Sequence, residues 1–251
     1  MDLNHVSWSW VGKRWQWFWE DANLDAAADA IVSSSMMHSG QICFSTERVI
    51  VVGKVGSEFV EKLRSRISKL WSGRSTDAND QRLEKYRLGP LFNRKSARRA
   101  VVMVEASRMA GAEILVGDAT HTGCFMQSHL LDHVPSSAEL FCEESFVPVC
   151  SVTRAHSTEE ATELANHGDF SLTAAVYGTN GSGMLSVAQR IKSGAVHING
   201  PTVSFEGNRP YAGCGGVSGY GRFGGRFGID EYTDKKVITL NEPGGPGVFL
   251  I

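Results

Sequence analysis

The sequence lacks several features that would assign it to a functional class at once. Its five cysteines form no C-x-x-C pair, and its eight histidines do not cluster with them at the spacing of metal ligands, so no metal site is expected. No apolar run is long enough to cross a bilayer, and the N-terminus lacks the order of a signal peptide. The formal net charge of -2 gives no reason to expect nucleic acid or an anionic membrane as a partner. These absences favour a cytoplasmic protein with reduced thiols.

The remaining composition is that of an ordinary globular chain, with 251 residues of which 42% are hydrophobic and 21% charged. Apolar residues fall on one face of a predicted helix at residues 23–37, and the β-branched run at 48–52 predicts a buried strand. A capping box from Ser157 to Glu160 predicts a helix start, and Gly194 is a predicted helix end. Further helices are predicted near residues 60–70, 96–109, 157–166 and 184–191, and further strands at 113–116, 148–152, 172–177, 195–198 and 236–240. This alternation predicts an α/β domain with a largely parallel sheet.

Tryptophan is distributed unevenly along the chain. Five of the six tryptophans lie between Trp8 and Trp19. The segment SWSWVGKRWQWFWE that contains them has neither the helical nor the strand pattern expected in a globular domain.

One cysteine, Cys43, stands in a turn where a reactive thiol could be reached. It lies in HSGQICFSTER, after the helix at residues 23–37 and close to Gly40. A thiol acts as a nucleophile when its surroundings favour the thiolate and leave it accessible. Judged from these residues alone, a cysteine near a turn is more often structural than catalytic, so both interpretations stay open.

The wider segment resembles the active-site region of aldehyde dehydrogenases, in which a helix leads into a G-Q-x-C turn, then E-R and a strand. Other landmarks of that family follow in order between residues 20 and 240: GPLFN at 89–93, EESFVPV at 143–149, GAVHINGPT at 194–202 and SGYGRFGG at 218–225. The last two look most like the salicylaldehyde and vanillin dehydrogenase branch. The resemblance implies the family's catalytic-domain fold, a mostly parallel twisted sheet with flanking helices, without the N-terminal cofactor domain.

The same resemblance implies a mechanism and a set of site residues. Cys43 would attack an aldehyde to give a thiohemiacetal, and oxidation by NAD or NADP would leave a thioester that water hydrolyses to a carboxylic acid. Glu144 would bind the nicotinamide ribose and Phe146 would pack near the nicotinamide. Gln41, Ile42 and Asn199 match the active-site vicinity. Without their flanking motifs, Glu144 would belong to a solvated acidic pair and Asn199 would be a turn residue.

The glycine-rich stretch at residues 200–228 has two interpretations. Its arginines, aromatics and glycines resemble a short RGG-type RNA-binding segment. A backbone loop packed against the catalytic centre is favoured, because the stretch is short and is bracketed by strands and by family motifs.

The chain departs from the family pattern in two further ways. The E-L-G-G-K motif, whose Glu is the family's general base, is replaced by the tryptophan-rich segment. We interpret residues 1–19 as a translation in a neighbouring reading frame, followed by a catalytic domain at 20–235 and an oligomerisation strand and tail at 236–251. Val147 and Ser171 replace glycines of the family, and Val147 would be strained if that position needs a positive φ.

The sequence thus predicts a truncated, homo-oligomeric aldehyde dehydrogenase of low activity that oxidises an aldehyde, which could be aromatic. The alternative is a catalytically inactive fragment, or a binding or regulatory pseudoenzyme. A third reading is residual esterase chemistry at Cys43, which needs no cofactor.

Overall fold

The computed structural model describes residues 14–18, 22–53, 55–73, 86–241 and 243 of the chain. Strands and helices alternate through most of these residues. The strands are β1 (Arg14–Phe18), β2 (Arg48–Val52), β3 (Trp71–Ser72), β4 (Tyr86–Leu88), β5 (Glu113–Val116), β6 (His121–Thr122), β7 (Phe125–Met126), β8 (His129–Asp132), β9 (Val149–Ala155), β10 (Thr173–Tyr177) and β11 (Ala195–Ile198). The helices are α1 (Leu24–Met36), α2 (Gly56–Ile67), α3 (Arg94–Met109), α4 (Glu139–Cys142), α5 (Thr158–Ala165), α6 (Gly181–Arg190) and α7 (Gly225–Glu231).

Seven of the strands form one sheet in the order β11-β10-β1-β2-β9-β8-β5. Every neighbouring pair is parallel except β5 with β8, which is antiparallel. All five residues of β2 are buried, as are all five of β10, because helices cover both faces of a parallel sheet. The predicted α/β class with a mostly parallel sheet is confirmed.

The core has two layers, one on each face of the sheet. Ile50 of β2 packs with residues of α3, α5 and α6, whereas Val51 packs with residues of α1 and α2. Successive residues of a strand point to opposite faces, so neighbouring residues of β2 contribute to both layers. No helix among the described residues is long and apolar enough to span a bilayer.

Side-chain caps fix the starts of the helices that lead into the site. The Asn23 side chain accepts a hydrogen bond from the Ala26 amide at 3.1 Å and begins α1. The predicted cap at Ser157 is confirmed, since its Oγ accepts from the Glu160 amide at 3.1 Å. The Glu160 carboxylate reaches back to the His156 amide at 2.7 Å, one residue earlier than in a standard capping box.

Two local predictions were wrong, and the strand expected at 236–240 is not formed within a single chain. The tryptophan-rich segment contributes β1, whose backbone pairs with β10 on one side and β2 on the other. Residues 236–240, which the structure describes, form no strand within the chain, and Val237, Ile238 and Leu240 are 87%, 79% and 95% exposed. Apolar β-branched residues form a strand only when another strand is available to pair with them.

Gly194 is not the end of α6, so this prediction was also wrong. The helix ends at Arg190, and the Ile191 amide bonds the Val187 carbonyl. A Cβ at Gly194 would collide with the Ala212 carbonyl oxygen. Glycine is needed there for the close approach of two backbone segments.

Candidate active site

The loop that carries Cys43 begins with a sharp reversal after α1. His38, Ser39 and Gly40 have φ values of 53°, 56° and 71°, in the left-handed region. A Cβ at Gly40 would collide with the Val147 carbonyl oxygen, so only glycine fits. The Ser39 hydroxyl donates to the Gly89 carbonyl at 2.9 Å. The reversal therefore brings Cys43 to one edge of the sheet and anchors its loop to two neighbouring segments.

Cys43 itself is half-buried and lies in a tight turn. The Ser45 amide donates to the Ile42 carbonyl at 2.8 Å, and the Ser45 hydroxyl accepts from the Ile42 amide at 3.3 Å. These two bonds close the turn around Cys43 from both sides. The turn thus fixes the backbone at Cys43, while the thiol stays accessible.

Buried hydroxyl groups support the turn from behind. Thr202 Oγ1 donates to the Phe44 carbonyl at 2.8 Å and lies 3.0 Å from Thr46 Oγ1. Thr46 Oγ1 is in turn 2.8 Å from Ser34 Oγ in α1. Ser34, Thr46 and Thr202 are all fully buried. The chain of hydroxyls links α1, the Cys43 turn and the loop after β11.

Cys43 opens onto a cavity of about 430 Å³ with aromatic walls, lined by Cys43, Phe44, Phe205, Phe223 and Tyr232. The Phe44 and Phe205 rings stack with centroids 5.9 Å apart, and Phe205 and Phe223 stack at 6.2 Å. Buried Tyr211 supports these rings from behind, with its centroid 4.8 Å from that of Phe205. The arrangement creates an apolar slot with flat walls directly beside a thiol.

The segment that carries Glu144 and Phe146 leads directly into β9 and lies against the Cys43 loop at Gly40. Glu144 is half-buried, and its carbonyl accepts from Arg99 Nη1 at 2.8 Å. Phe146 has a φ of 56° and a ring that is 37% exposed. The condition for strain at Val147 is not met, because Val147 does not have a positive φ. The left-handed residue of this segment is Phe146.

Two charged residues of this region were missed by the sequence analysis. The Glu47 carboxylate is 5% exposed and accepts hydrogen bonds from the Ser145 and Phe146 amides at 3.0 and 2.8 Å. Arg48 is 2% exposed, donates through Nη1 to the Phe141 carbonyl and lies 5.2 Å from the Phe141 ring centroid. Burial lowers the pKa of Arg48 to about 9, so its side chain stays charged at neutral pH. The available signal was a pair of charges at the start of a buried strand, Glu47 just before it and Arg48 as its first residue, where charges are rare unless they have partners.

The other predicted site residues are not among those that line the aromatic cavity. The Gln41 amide group accepts from the Phe92 amide at 2.7 Å and donates to the Pro90 carbonyl at 3.3 Å. Ile42 contributes the turn contacts to Ser45. The Asn199 side chain accepts from the Gly178 amide at 3.0 Å and donates to the Gly178 carbonyl at 2.9 Å. Asn199 thereby clamps the end of β10, and it borders a separate cavity of about 380 Å³.

The remaining thiols differ from Cys43 in their surroundings. Cys150 is fully buried in β9, and burial raises the pKa of its thiol to about 12. Cys124 and Cys142 are half-buried, and Cys214 is exposed. Cys43 is the cysteine that lines the aromatic cavity. Among the residues that the structure describes, no three His, Cys, Asp or Glu side chains come together as metal ligands.

The glycine-rich loop is tied to the start of β10 by Ser171, one of the departures from the family pattern. Its hydroxyl donates to the Gly215 carbonyl at 2.9 Å and accepts from the Cys214 amide at 2.8 Å. The Ser171 amide donates to Ser218 Oγ at 2.8 Å. The serine side chain thus provides contacts to the loop that a glycine could not make.

The chain matches the profile of the aldehyde dehydrogenase family over residues 2–238. It is 40% identical over 221 residues to a vanillin dehydrogenase from a Pseudomonas species and 37% identical over 221 residues to a salicylaldehyde dehydrogenase from Pseudomonas putida. Each alignment covers 88% of this chain and 44% of the relative, so the chain spans about half the length of these curated relatives.

Solved structures give the same result. The crystal structure of a salicylaldehyde dehydrogenase from Pseudomonas putida G7, complexed with salicylaldehyde, superposes with a TM-score of 0.86 at 35% identity. The match covers 95% of this chain and 48% of that protein. With the family profile spanning nearly all of its residues, the chain belongs to the aldehyde dehydrogenase family.

Proposed function

We propose that the chain forms the catalytic half of an NAD(P)-dependent aldehyde dehydrogenase that oxidises aromatic aldehydes to carboxylic acids through Cys43. The observation that carries the proposal is the position of this thiol at a cavity of about 430 Å³ with aromatic walls. This volume lies within the range of about 300–1,000 Å³ that is usual for small-molecule sites.

The walls of the cavity favour an aromatic substrate. Phe44, Phe205 and Phe223 offer ring faces, and an aromatic aldehyde can pack against them in offset or edge-on contacts. The relatives support the same class, since they include a vanillin dehydrogenase and a salicylaldehyde dehydrogenase crystallised with salicylaldehyde. A small aliphatic aldehyde would leave much of the ring surface without a partner.

In this proposal the Cys43 thiolate adds to the carbonyl carbon of the aldehyde and forms a thiohemiacetal. The Ile42–Ser45 turn holds the thiol in place for this attack. Loss of hydride then gives a thioester on Cys43, and hydrolysis of that thioester releases the acid.

Glu144 and Phe146 would hold the nicotinamide end of the cofactor. They fit this role because a half-buried carboxylate stands next to a partly exposed aromatic ring on one loop. A carboxylate can accept two hydrogen bonds from a ribose diol. When bound, NAD or NADP would supply the hydride acceptor.

The experiment is a pair of assays on the purified chain. NAD(P)H formation is followed with benzaldehyde, salicylaldehyde and propanal, and the burst of p-nitrophenol is followed with p-nitrophenyl acetate. We expect aromatic aldehydes to give the higher kcat/KM and Cys43→Ala to abolish both signals. A burst without NAD(P)H formation would support the esterase reading and assign cofactor binding to residues outside this chain. Absence of both signals would refute the proposal in favour of an inactive or regulatory fragment.

We also propose that residues 1–19 are a translation in a neighbouring frame. Tryptophan has one codon, so the tryptophan-rich segment fixes most of its own DNA. If the reading frame is shifted by one base, so that each codon begins with the last base of the preceding one, the segment can encode E-L-G-G-K. Apolar residues then follow at the positions of β1. A strand in the centre of a parallel sheet is normally apolar. The residues encoded by the neighbouring frame fit this rule better than Arg14 and Gln16 do. Sequencing the transcript tests this, and absence of E-L-G-G-K from every frame would refute it.

We further propose that the tail after α7 pairs with a second copy of the chain. The support is the high exposure of the apolar residues Val237, Ile238 and Leu240, on a segment that forms neither helix nor strand within the chain. Such a segment is suited to adding a strand to a neighbouring sheet.

A cytoplasmic location stays a prediction from composition.

A further inference from the structure

Glu47 joins the two loops that the proposed function uses. It follows the Cys43 turn and precedes β2, and its carboxylate is buried. Oε1 accepts from the Phe146 amide at 2.8 Å and Oε2 accepts from the Ser145 amide at 3.0 Å. Each carboxylate oxygen is therefore committed to a different backbone donor of the segment that carries Glu144.

The backbone of Glu47 is fixed as firmly as its side chain. The Glu47 carbonyl accepts from both the amide and the hydroxyl of Ser151 in β9, each at 2.9 Å. A side chain whose backbone is anchored at the sheet holds its carboxylate at a set distance from that sheet. The Cys43 loop also touches the same segment a second time, where Gly40 packs against the Val147 carbonyl.

The contact has a conformational consequence at Phe146. Phe146 has a φ of 56°, which a non-glycine residue adopts only when its surroundings hold it there. Two consecutive amides that point to one carboxylate provide such a restraint, because both donors must face the same side. Because the two amides bond to different carboxylate oxygens, replacing one oxygen with an NH₂ group would place a donor against one of the two amides.

We propose that Glu47 is a positioning residue that sets the Glu144–Phe146 segment relative to the Cys43 thiol. Its importance for catalysis rests on the proposed function, whereas its effect on the loop does not. It acts through the backbone of Ser145 and Phe146, and the acylation chemistry of Cys43 does not require it.

The test compares the chain with its Glu47→Gln variant, which keeps the size of the side chain and removes one acceptor. Glu105→Gln is the matched control, since Glu105 pairs at the surface with Arg108 at 2.7 Å. Amide hydrogen exchange is measured by NMR at Ser145 and Phe146 and in β10, together with the acylation of Cys43 by p-nitrophenyl acetate. For aldehyde oxidation, KM for NAD(P)+ and KM for the aldehyde are measured separately.

For Glu47→Gln we expect exchange at one or both of these amides to rise at least about tenfold. Exchange in β10 and the acylation rate should stay within about twofold of the wild type, as in Glu105→Gln. KM for NAD(P)+ should rise while KM for the aldehyde does not.

Unchanged exchange at both amides would overturn the proposal. So would an equal rise in β10, which would show only a general loss of stability. A wild-type chain that oxidises no aldehyde would refute the proposed function, and the exchange measurement would still decide the role of Glu47.

Discussion

Thr202→Val removes one hydroxyl from the support of the Cys43 turn and changes the volume of the side chain very little. In the wild type, Thr202 Oγ1 donates to the Phe44 carbonyl at 2.8 Å and contacts Thr46 Oγ1 at 3.0 Å. Thr202 is fully buried, so water cannot replace the lost bonds without rearrangement. The substitution therefore separates hydrogen bonding from packing.

The size of the effect follows from these two contacts. Removing one partner of a buried hydrogen bond costs about 1–3 kcal/mol. We expect the free energy of unfolding to fall by about 2 kcal/mol, which corresponds to about 4–8 °C in Tm for a chain of this size. The Phe44 carbonyl follows Cys43 directly, so acylation of the thiol should also slow.

Thr233→Val is the control, measured by urea and thermal unfolding under the same conditions. The Thr233 hydroxyl makes a bond of the same kind and length, to the Ile229 carbonyl at 2.8 Å, but at an exposed position. Its loss should change the free energy of unfolding by less than about 0.5 kcal/mol. Equal effects of the two substitutions would contradict the assigned role of the buried hydroxyls.

Two further predictions concern the cavity and a buried histidine. Phe205→Ala should raise KM for benzaldehyde about two- to tenfold and leave KM for propanal unchanged, because the ring contact is worth about 0.5–1.5 kcal/mol. Phe227→Ala is the control, since Phe205 and Phe227 are both 47% exposed but Phe227 does not line the cavity. Equal effects of the two substitutions would count against an aromatic slot. His129 bonds the Ala119 amide through Nε2 at 3.0 Å and the Gln127 carbonyl through Nδ1 at 2.8 Å, which suits the neutral ring, and burial lowers its pKa from 6.5. The stability from neutral His129 is therefore complete above pH 6.5 and is lost as the pH falls below that value toward the folded pKa. Urea unfolding between neutral and acidic pH should show a smaller fall for His129→Gln than for the wild type or for His133→Gln, and identical pH profiles would contradict this reasoning.

The sheet was predictable where apolar runs and caps are local. The strands at 48–52, 113–116 and 195–198 and the helix that Asn23 caps follow from patterns within a few residues. Strand β8 was missed because HLLD is too short and mixed to stand out from its polar neighbours. The strand expected at 236–240 is absent from a single chain, since its pattern has no partner strand there.

The candidate site was predictable only in part. The turn around Cys43 and the Glu144–Phe146 segment stand in motifs that can be read along the chain. The cavity walls cannot, because Phe205, Phe223 and Tyr232 come from segments that are distant in sequence from Cys43. Glu47 was missed because its partners are backbone amides, which leave no signature in the side-chain sequence.

The central claim is that Cys43 is the nucleophile, and peptide mapping by mass spectrometry after limited reaction with p-nitrophenyl acetate tests it most directly. We predict that the acetyl group is found on Cys43, in proportion to the p-nitrophenol burst, and that the burst disappears in Cys43→Ala. The half-buried Cys124 and Cys142 and the exposed Cys214 provide the internal comparison. A burst that persists in Cys43→Ala, or an acetyl group carried by Cys124 or Cys214, would contradict the account.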